Sequence, residues 1–118
     1  MLERYVVVDL EMTGLNPRRD RILEIGAARV EHGEVTAQYE TFVNPGVGIP
    51  EKVRELTGIN DEMVKDAPRI SEILPDFIAF CADDIFVGHN VIFDYSFLKQ
   101  AAINEKLSFE RQAVDTLK

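Results

Sequence analysis

Residues 4–11 read Arg4-Tyr5-Val6-Val7-Val8-Asp9-Leu10-Glu11. The β-branched centre and polar ends predict a buried strand, and the rest of the chain is read outward from it. Asp9 and Glu11 are two apart, so on a strand both side chains project from the same face. Two carboxylates projecting together repel each other, and desolvation adds to the cost. A metal ion, a basic partner or exposure at the strand's end relieves that. Oxygen ligands without a Cys/His cluster point to Mg²⁺ or Mn²⁺ rather than zinc. The alternative is a plain solvated strand end.

Thr13-Gly14-Leu15-Asn16-Pro17 is turn chemistry. A second strand follows over about 22–31, then the connection Glu31-His32-Gly33-Glu34, then a third strand over roughly 35–43. Together these make an antiparallel meander. Pro50 suits the first turn of a helix over 51–56 that Gly58 closes. Asn60 before Asp61-Glu62 predicts a second short helix. Ile70, Ile73, Leu74, Phe77, Ile78 and Cys81 share one face of an amphipathic helix over 69–82, which Pro75 should bend. A short strand at Ile85-Phe86-Val87, a helix over 92–104 and a strand over 112–117 complete the order. This pattern predicts an α/β fold, a mixed sheet with an antiparallel side, a parallel side and flanking helices.

Gly88-His89-Asn90-Val91-Ile92-Phe93-Asp94 follows a strand and opens a helix, where α/β sheets place their sites. Each residue has a plainer role available. Asp94 complements the helix dipole, Asn90 caps the helix, and His89 alone is a structural histidine. The functional reading gains because both constellations fall at strand ends of one small sheet. A third carboxylate there completes a cluster able to hold two divalent ions, the arrangement that suits phosphodiester hydrolysis. Acyl and hydride transfer find no motif, for G-x-S-x-G, G-x-G-x-x-G and a P-loop are all missing. His32 reads as a solvated turn residue, Asp115 as a strand or turn residue, Cys81 as core, and Asp83-Asp84 as a solvated helix end.

The 118 residues carry 13 basic and 21 acidic side chains, a net charge of −8. That length suits one domain over residues 1–118, and the 46% apolar content suits an ordinary core. The acidity argues against a protein that grips nucleic acid over a broad basic footprint. Arg18, Arg19 and Arg21 form the only basic cluster in the sequence, so a polyanion would meet the molecule locally. One cysteine builds no disulfide framework. No apolar run is long enough to span a membrane, and Met1-Leu2-Glu3-Arg4 lacks a signal layout, so a cytoplasmic location is expected.

Five segments then come in a familiar order: Val8-Asp9-Leu10-Glu11-Met12-Thr13-Gly14-Leu15, Ile22-Leu23-Glu24-Ile25-Gly26-Ala27, Glu55-Leu56-Thr57-Gly58-Ile59, the Gly88–Asp94 stretch, and Val114-Asp115-Thr116-Leu117. Together, and along essentially the whole chain, they resemble the DnaQ-like 3′–5′ exonucleases with the DEDD carboxylate pattern. The middle and second motifs look closest to bacterial replicative proofreading domains of the PolC and epsilon-subunit type. Met12 instead resembles oligoribonuclease, which leaves DNA and RNA both open.

The resemblance implies a ribonuclease H-like sheet, with Asp9, Glu11 and Asp94 as catalytic metal ligands for Mg²⁺ or Mn²⁺. It implies that Thr13 and Leu15 line the terminal nucleotide, and that His89, Asn90 and Phe93 shape the same pocket with Leu56 at its border. It implies single-stranded DNA or RNA 3′ ends as substrate, and a DNA polymerase as partner. The family's third motif, with a general-base histidine or tyrosine and a last aspartate, lies beyond the Asp-Thr-Leu segment. Neither His89 nor Asp115 is that residue. The expectation is therefore a C-terminally truncated domain, impaired as it stands, with an exposed apolar face prone to self-association. The competing expectations are a non-catalytic module of the same fold that binds nucleic acid or a polymerase, and an interaction domain whose carboxylates are merely solvated.

Overall fold

In the computed structural model, which describes residues 3–116, β1 spans Arg4–Met12 and sits at the middle of the sheet. β2 (Ile22–Glu31) pairs with it antiparallel, and β3 (Glu34–Phe42) pairs antiparallel with β2. β4 (Ile85–Gly88) and β5 (Ala113–Asp115) add two parallel pairings on the other side. Among the described residues the sheet order is β3-β2-β1-β4-β5, the mixed arrangement expected from the sequence. The expected last strand over 112–117 runs on to Leu117, which lies outside the described residues.

The helices follow the sequence pattern closely. α1 (Glu51–Thr57) starts after Pro50 and ends at Gly58, whose N–H donates to the Arg54 carbonyl at 2.8 Å. α2 (Asp61–Val64) is capped by Asn60, whose side chain accepts the Met63 N–H at 3.0 Å. α3 (Ile70–Cys81) continues through Pro75, and α4 spans Val91–Asn104.

β1 is buried on one face only. Val6, Val8 and Leu10 point into the core with Phe77 and Cys81 of α3 and Phe97 and Leu98 of α4. The alternate residues face the other way, and Val7 there is 37% exposed. A buried strand was expected, and its burial is one-sided because α3 and α4 both pack against the Val6–Val8–Leu10 side. A second small core of Leu23, Ile49, Ile59 and Val64 holds α1 and α2 at the β2 end.

Asp84 corrects a second expectation. It is no solvated helix end: its side chain is 10% exposed, with Arg4 Nε at 2.8 Å and Arg29 Nε at 3.7 Å. The Arg29 guanidinium also donates to the Phe80 carbonyl and lies over the Phe80 ring at 4.7 Å. This cluster ties the N-terminal end of β1 to β2 and to the turn before β4. Cys81 is fully buried as expected, and burial pushes its thiol up to about 12.

Candidate active site

The outward face of β1 carries Asp9 and Glu11, so the two carboxylates project together as the strand period requires. Asp9 is exposed and Glu11 half-buried. Glu24 stands opposite Glu11 in the β1–β2 register, adding a third negative charge to that face. Burial, then Asp9, then Glu24 hold the Glu11 carboxyl above its ordinary range.

Asp94 reaches the same end of β1 from the first turn of α4, at the Leu10 backbone between Asp9 and Glu11. It is 7% exposed, and its Oδ2 accepts the Leu10 N–H at 3.3 Å. Burial raises its carboxyl to about 6 against the lowering effect of the Leu10 N–H, and Asp9 and Glu11 add to the rise. Asp94 therefore does more than favour a helix start. It is held against the strand that bears the other two carboxylates.

The turn before α4 is fixed from the opposite side. Asn90 takes a left-handed conformation (φ 58°), and its backbone N–H donates to Asp115 Oδ1 at 3.0 Å. Its side chain makes no capping bond, so the simple N-cap role does not hold. His89 is exposed beside it. Phe93 packs edge-on against Phe97, with ring centroids 5.2 Å apart.

Thr13 is buried in the turn after β1. Its Oγ1 accepts the Arg21 N–H at 2.9 Å and donates to Asp20 Oδ1 at 3.3 Å. Asp20 Oδ2 also accepts the Asn16 N–H at 2.9 Å, so one carboxylate clasps both ends of the turn. Only glycine fits at position 14, where a Cβ would come within 2.4 Å of that carboxylate. Leu15 and Leu56 stand out in solvent, 80% and 85% exposed, and join neither hydrophobic cluster.

Asp9, Glu11 and Asp94 form no ion pair among the described residues, so their mutual repulsion is uncompensated. That charge and those oxygen donors fit a hard divalent cation. As the side chains lie, no three His, Cys, Asp or Glu among the described residues form a ready-made cage. The donor chemistry fits, then, while the arrangement is open.

A family comparison decides what this arrangement belongs to: the exonuclease (RNase_T) family model matches residues 6–118. The chain belongs to the exonuclease family. This exonuclease-family chain is 44% identical over 113 residues to a DNA polymerase III PolC-type protein of Caldanaerobacter subterraneus subsp. tengcongensis, covering 96% of this chain and 8% of that protein. It is 42% identical over 96 residues to the DNA polymerase III subunit epsilon of Aquifex aeolicus, covering 81% of this chain and 48% of the relative. It thus spans about a twelfth of the PolC-type relative and about half of the epsilon subunit. Escherichia coli exonuclease I, solved in complex with an oligonucleotide, superposes with a TM-score of 0.83 at 16% identity, over 97% of this chain and 28% of that one. The fold is therefore ribonuclease H-like, as expected. No helix among the described residues is long and apolar enough to cross a membrane.

Sequence reasoning missed Asp20, Glu24 and the Asp115–Asn90 bond. Glu24 was legible in principle, since antiparallel pairing of the first two strands across the loop 13–21 places it near Glu11. Asp115 acts through a backbone N–H 25 positions away, which no local pattern signals, whereas Asp20 bonds within its own turn, to the Asn16 N–H and the Thr13 hydroxyl.

Proposed function

We propose that this chain is a metal-dependent 3′–5′ exonuclease domain that hydrolyses phosphodiester bonds at single-stranded nucleic-acid ends and releases nucleoside monophosphates. DNA is the favoured substrate, and a DNA polymerase the favoured partner, because the relatives named above are DNA polymerase III proteins. The observation that carries this reading is Asp94 held to the Leu10 N–H beside Asp9 and Glu11, with no basic group among the described residues paired to any of the three.

In this reading Asp9, Glu11 and Asp94 hold Mg²⁺ or Mn²⁺. Such ions supply Lewis-acid stabilisation of the charge that develops on phosphodiester oxygens. The chain's own residues do the rest. The Leu10 N–H fixes Asp94, and Asp115 fixes the turn that presents His89 and Asn90. The Asp20 clasp fixes Thr13 and with it the exposed Leu15, a side chain suited to lie against a base. Phe93, backed by Phe97, offers an apolar wall for the terminal nucleotide.

The test is degradation of a single-stranded oligonucleotide labelled at its 5′ end, with Mn²⁺ present. Shortening from the unlabelled end, abolished in Asp9→Ala and in Asp94→Ala, is the expected result. No shortening in the wild type sinks the enzyme reading. One observation favours a second reading, a non-catalytic module of the same fold that binds nucleic acid or a polymerase. The carboxylates do not form a closed cage as they lie. Strand binding without turnover and without metal affinity would support it.

A further inference from the structure

The β1–β2 loop brings Arg18, Arg19 and Arg21 to the rim of a cavity of about 380 Å³, and Arg69 at the start of α3 faces them across it. Its apolar floor includes Val43, Ile70 and Phe97. In a chain of net charge −8, four guanidinium groups border one concavity. None of the four forms an ion pair among the described residues, where Arg4, Arg29, Lys65 and Lys99 are the paired cations. Asp20 and Glu105 also line the cavity, but Asp20 is committed to Thr13 and Asn16. A concave wall with uncommitted charge of one sign focuses its field on a ligand of the other.

One of the arginines is tethered, and a second lies close to the backbone. Arg21 Nη1 donates to the Pro45 carbonyl at 3.1 Å. The Arg69 guanidinium lies across Gly46, where a Cβ would come within 2.6 Å of Nη1. All four are exposed, and among the described residues the Arg18 and Arg19 heads form no ion pair. Guanidinium forks match phosphate oxygens in geometry as well as charge.

The cavity adjoins the candidate active site along two routes. Phe97 in its floor touches Phe93, and α4 carries the wall onward: Phe97 lies about 4.5 Å and Ala101 about 10.5 Å further along the helix than Asp94, from the helical rise. The arginine loop is bonded to Thr13 through Arg21, whose carbonyl accepts the Thr13 N–H at 2.8 Å. A strand whose end lay at Asp94 could therefore continue toward the arginines. We propose that this arginine-rimmed cavity binds a backbone phosphate of the single strand upstream of its 3′ end. The site gives affinity without base readout, as basic grooves that track a single strand do.

This inference rests on the exonuclease reading of the same face, and the experiment separates the two. Fluorescence anisotropy would measure binding of oligothymidylates two and twelve nucleotides long, and of thymidine monophosphate, in chelator across a salt series. For Arg18→Ala/Arg19→Ala the expected result is roughly tenfold weaker binding of the twelve-mer. Its log–log salt slope should be shallower by about 0.7 for each phosphate no longer neutralised, with dinucleotide binding unchanged. Wild-type affinity and slope in the double variant would overturn the proposal, and so would no measurable twelve-mer binding by the wild type at low salt. Arginine-dependent binding of the monophosphate as tight as that of the twelve-mer would also overturn it, assigning the cavity to a free nucleotide. Failure of the exonuclease reading appears elsewhere, as no Mn²⁺-dependent shortening by a wild type that still binds the twelve-mer through its arginines.

Discussion

Asp94 Oδ2 accepts the Leu10 N–H at 3.3 Å, joining the first turn of α4 to the C-terminal part of β1 across 84 positions of chain. Leu10 lies between Asp9 and Glu11, so the bond sets the third carboxylate beside the other two. It also takes Asp94 out of solvent, and that burial is the largest cause of its raised carboxyl.

In metal-free buffer the consequence is a stability that falls as pH rises. The folded-state value of about 6 lies above the ordinary 3.8, so between those limits the folded chain binds more protons than the unfolded one. Stability is fully present below the lower limit and is lost as pH rises through the upper one. Urea melts at pH 5 and pH 7 should differ in favour of pH 5 by on the order of 1–3 kcal/mol from this group. Asp94→Asn should shrink that difference, leaving the part due to Glu11, which shifts in the same direction.

Asp9 raises the carboxyls of both Glu11 and Asp94. Asp9→Asn should therefore leave metal-free stability unchanged or slightly higher, while abolishing any Mn²⁺-induced rise in Tm. Such a rise is linkage and requires an ion bound to the folded state. A loss of several degrees in metal-free Tm would contradict this account of Asp9.

The Asp20 clasp should matter for both stability and substrate. Asp20→Ala leaves Thr13 Oγ1 and the Asn16 N–H without their acceptor, at a cost of about 1–2 kcal/mol. The same substitution removes the carboxylate that forbids a Cβ at position 14. Gly14→Ala should thus be markedly less harmful in an Asp20→Ala background, a coupling that a double-mutant cycle of chemical melts reads directly.

The Arg4–Asp84–Arg29 cluster should be worth more than a surface pair, since the Asp84 side chain is 10% exposed and its removal leaves Arg29 without an ion-pair partner among the described residues, while Arg4 keeps Glu31 at 3.3 Å. Asp84→Ala should lower stability by about 1–3 kcal/mol. Because the Arg29 side chain is only 20% exposed, Arg29→Met in the same background should recover part of that loss.

Cys81 should be inert in the native state. With the thiol fully buried and pushed up to about 12, hardly any thiolate exists at pH 8. Iodoacetamide labelling should follow the rate or extent of unfolding, and rapid labelling of the folded chain would contradict the burial.

Much of this was legible in the sequence because it is local. The period of two in Val6–Glu11 gives the shared face of Asp9 and Glu11, and the helical spacing of Ile73, Leu74, Phe77 and Cys81 gives the buried face of α3. The turn residues give the strand boundaries, and with them the mixed sheet. What escaped is non-local. Whether β1 is covered on one face or two depends on where α3 and α4 dock, which no property of β1 itself encodes. Asp84 reads as solvated until β1 and β2 bring Arg4 and Arg29 to it. The plain capping role for Asn90 failed because the Asp115 carboxylate holds the turn in a left-handed conformation from outside it.

The bond between Asp94 and Leu10 also has a meaning in time. During synthesis at about 5–20 residues per second, the strand with its two acidic side chains is made about 4–17 seconds before Asp94 is added. Asp115, which braces the turn ahead of Asp94, follows later still. Through that interval the nascent chain carries Asp9 and Glu11 without the third carboxylate that Leu10 later holds beside them.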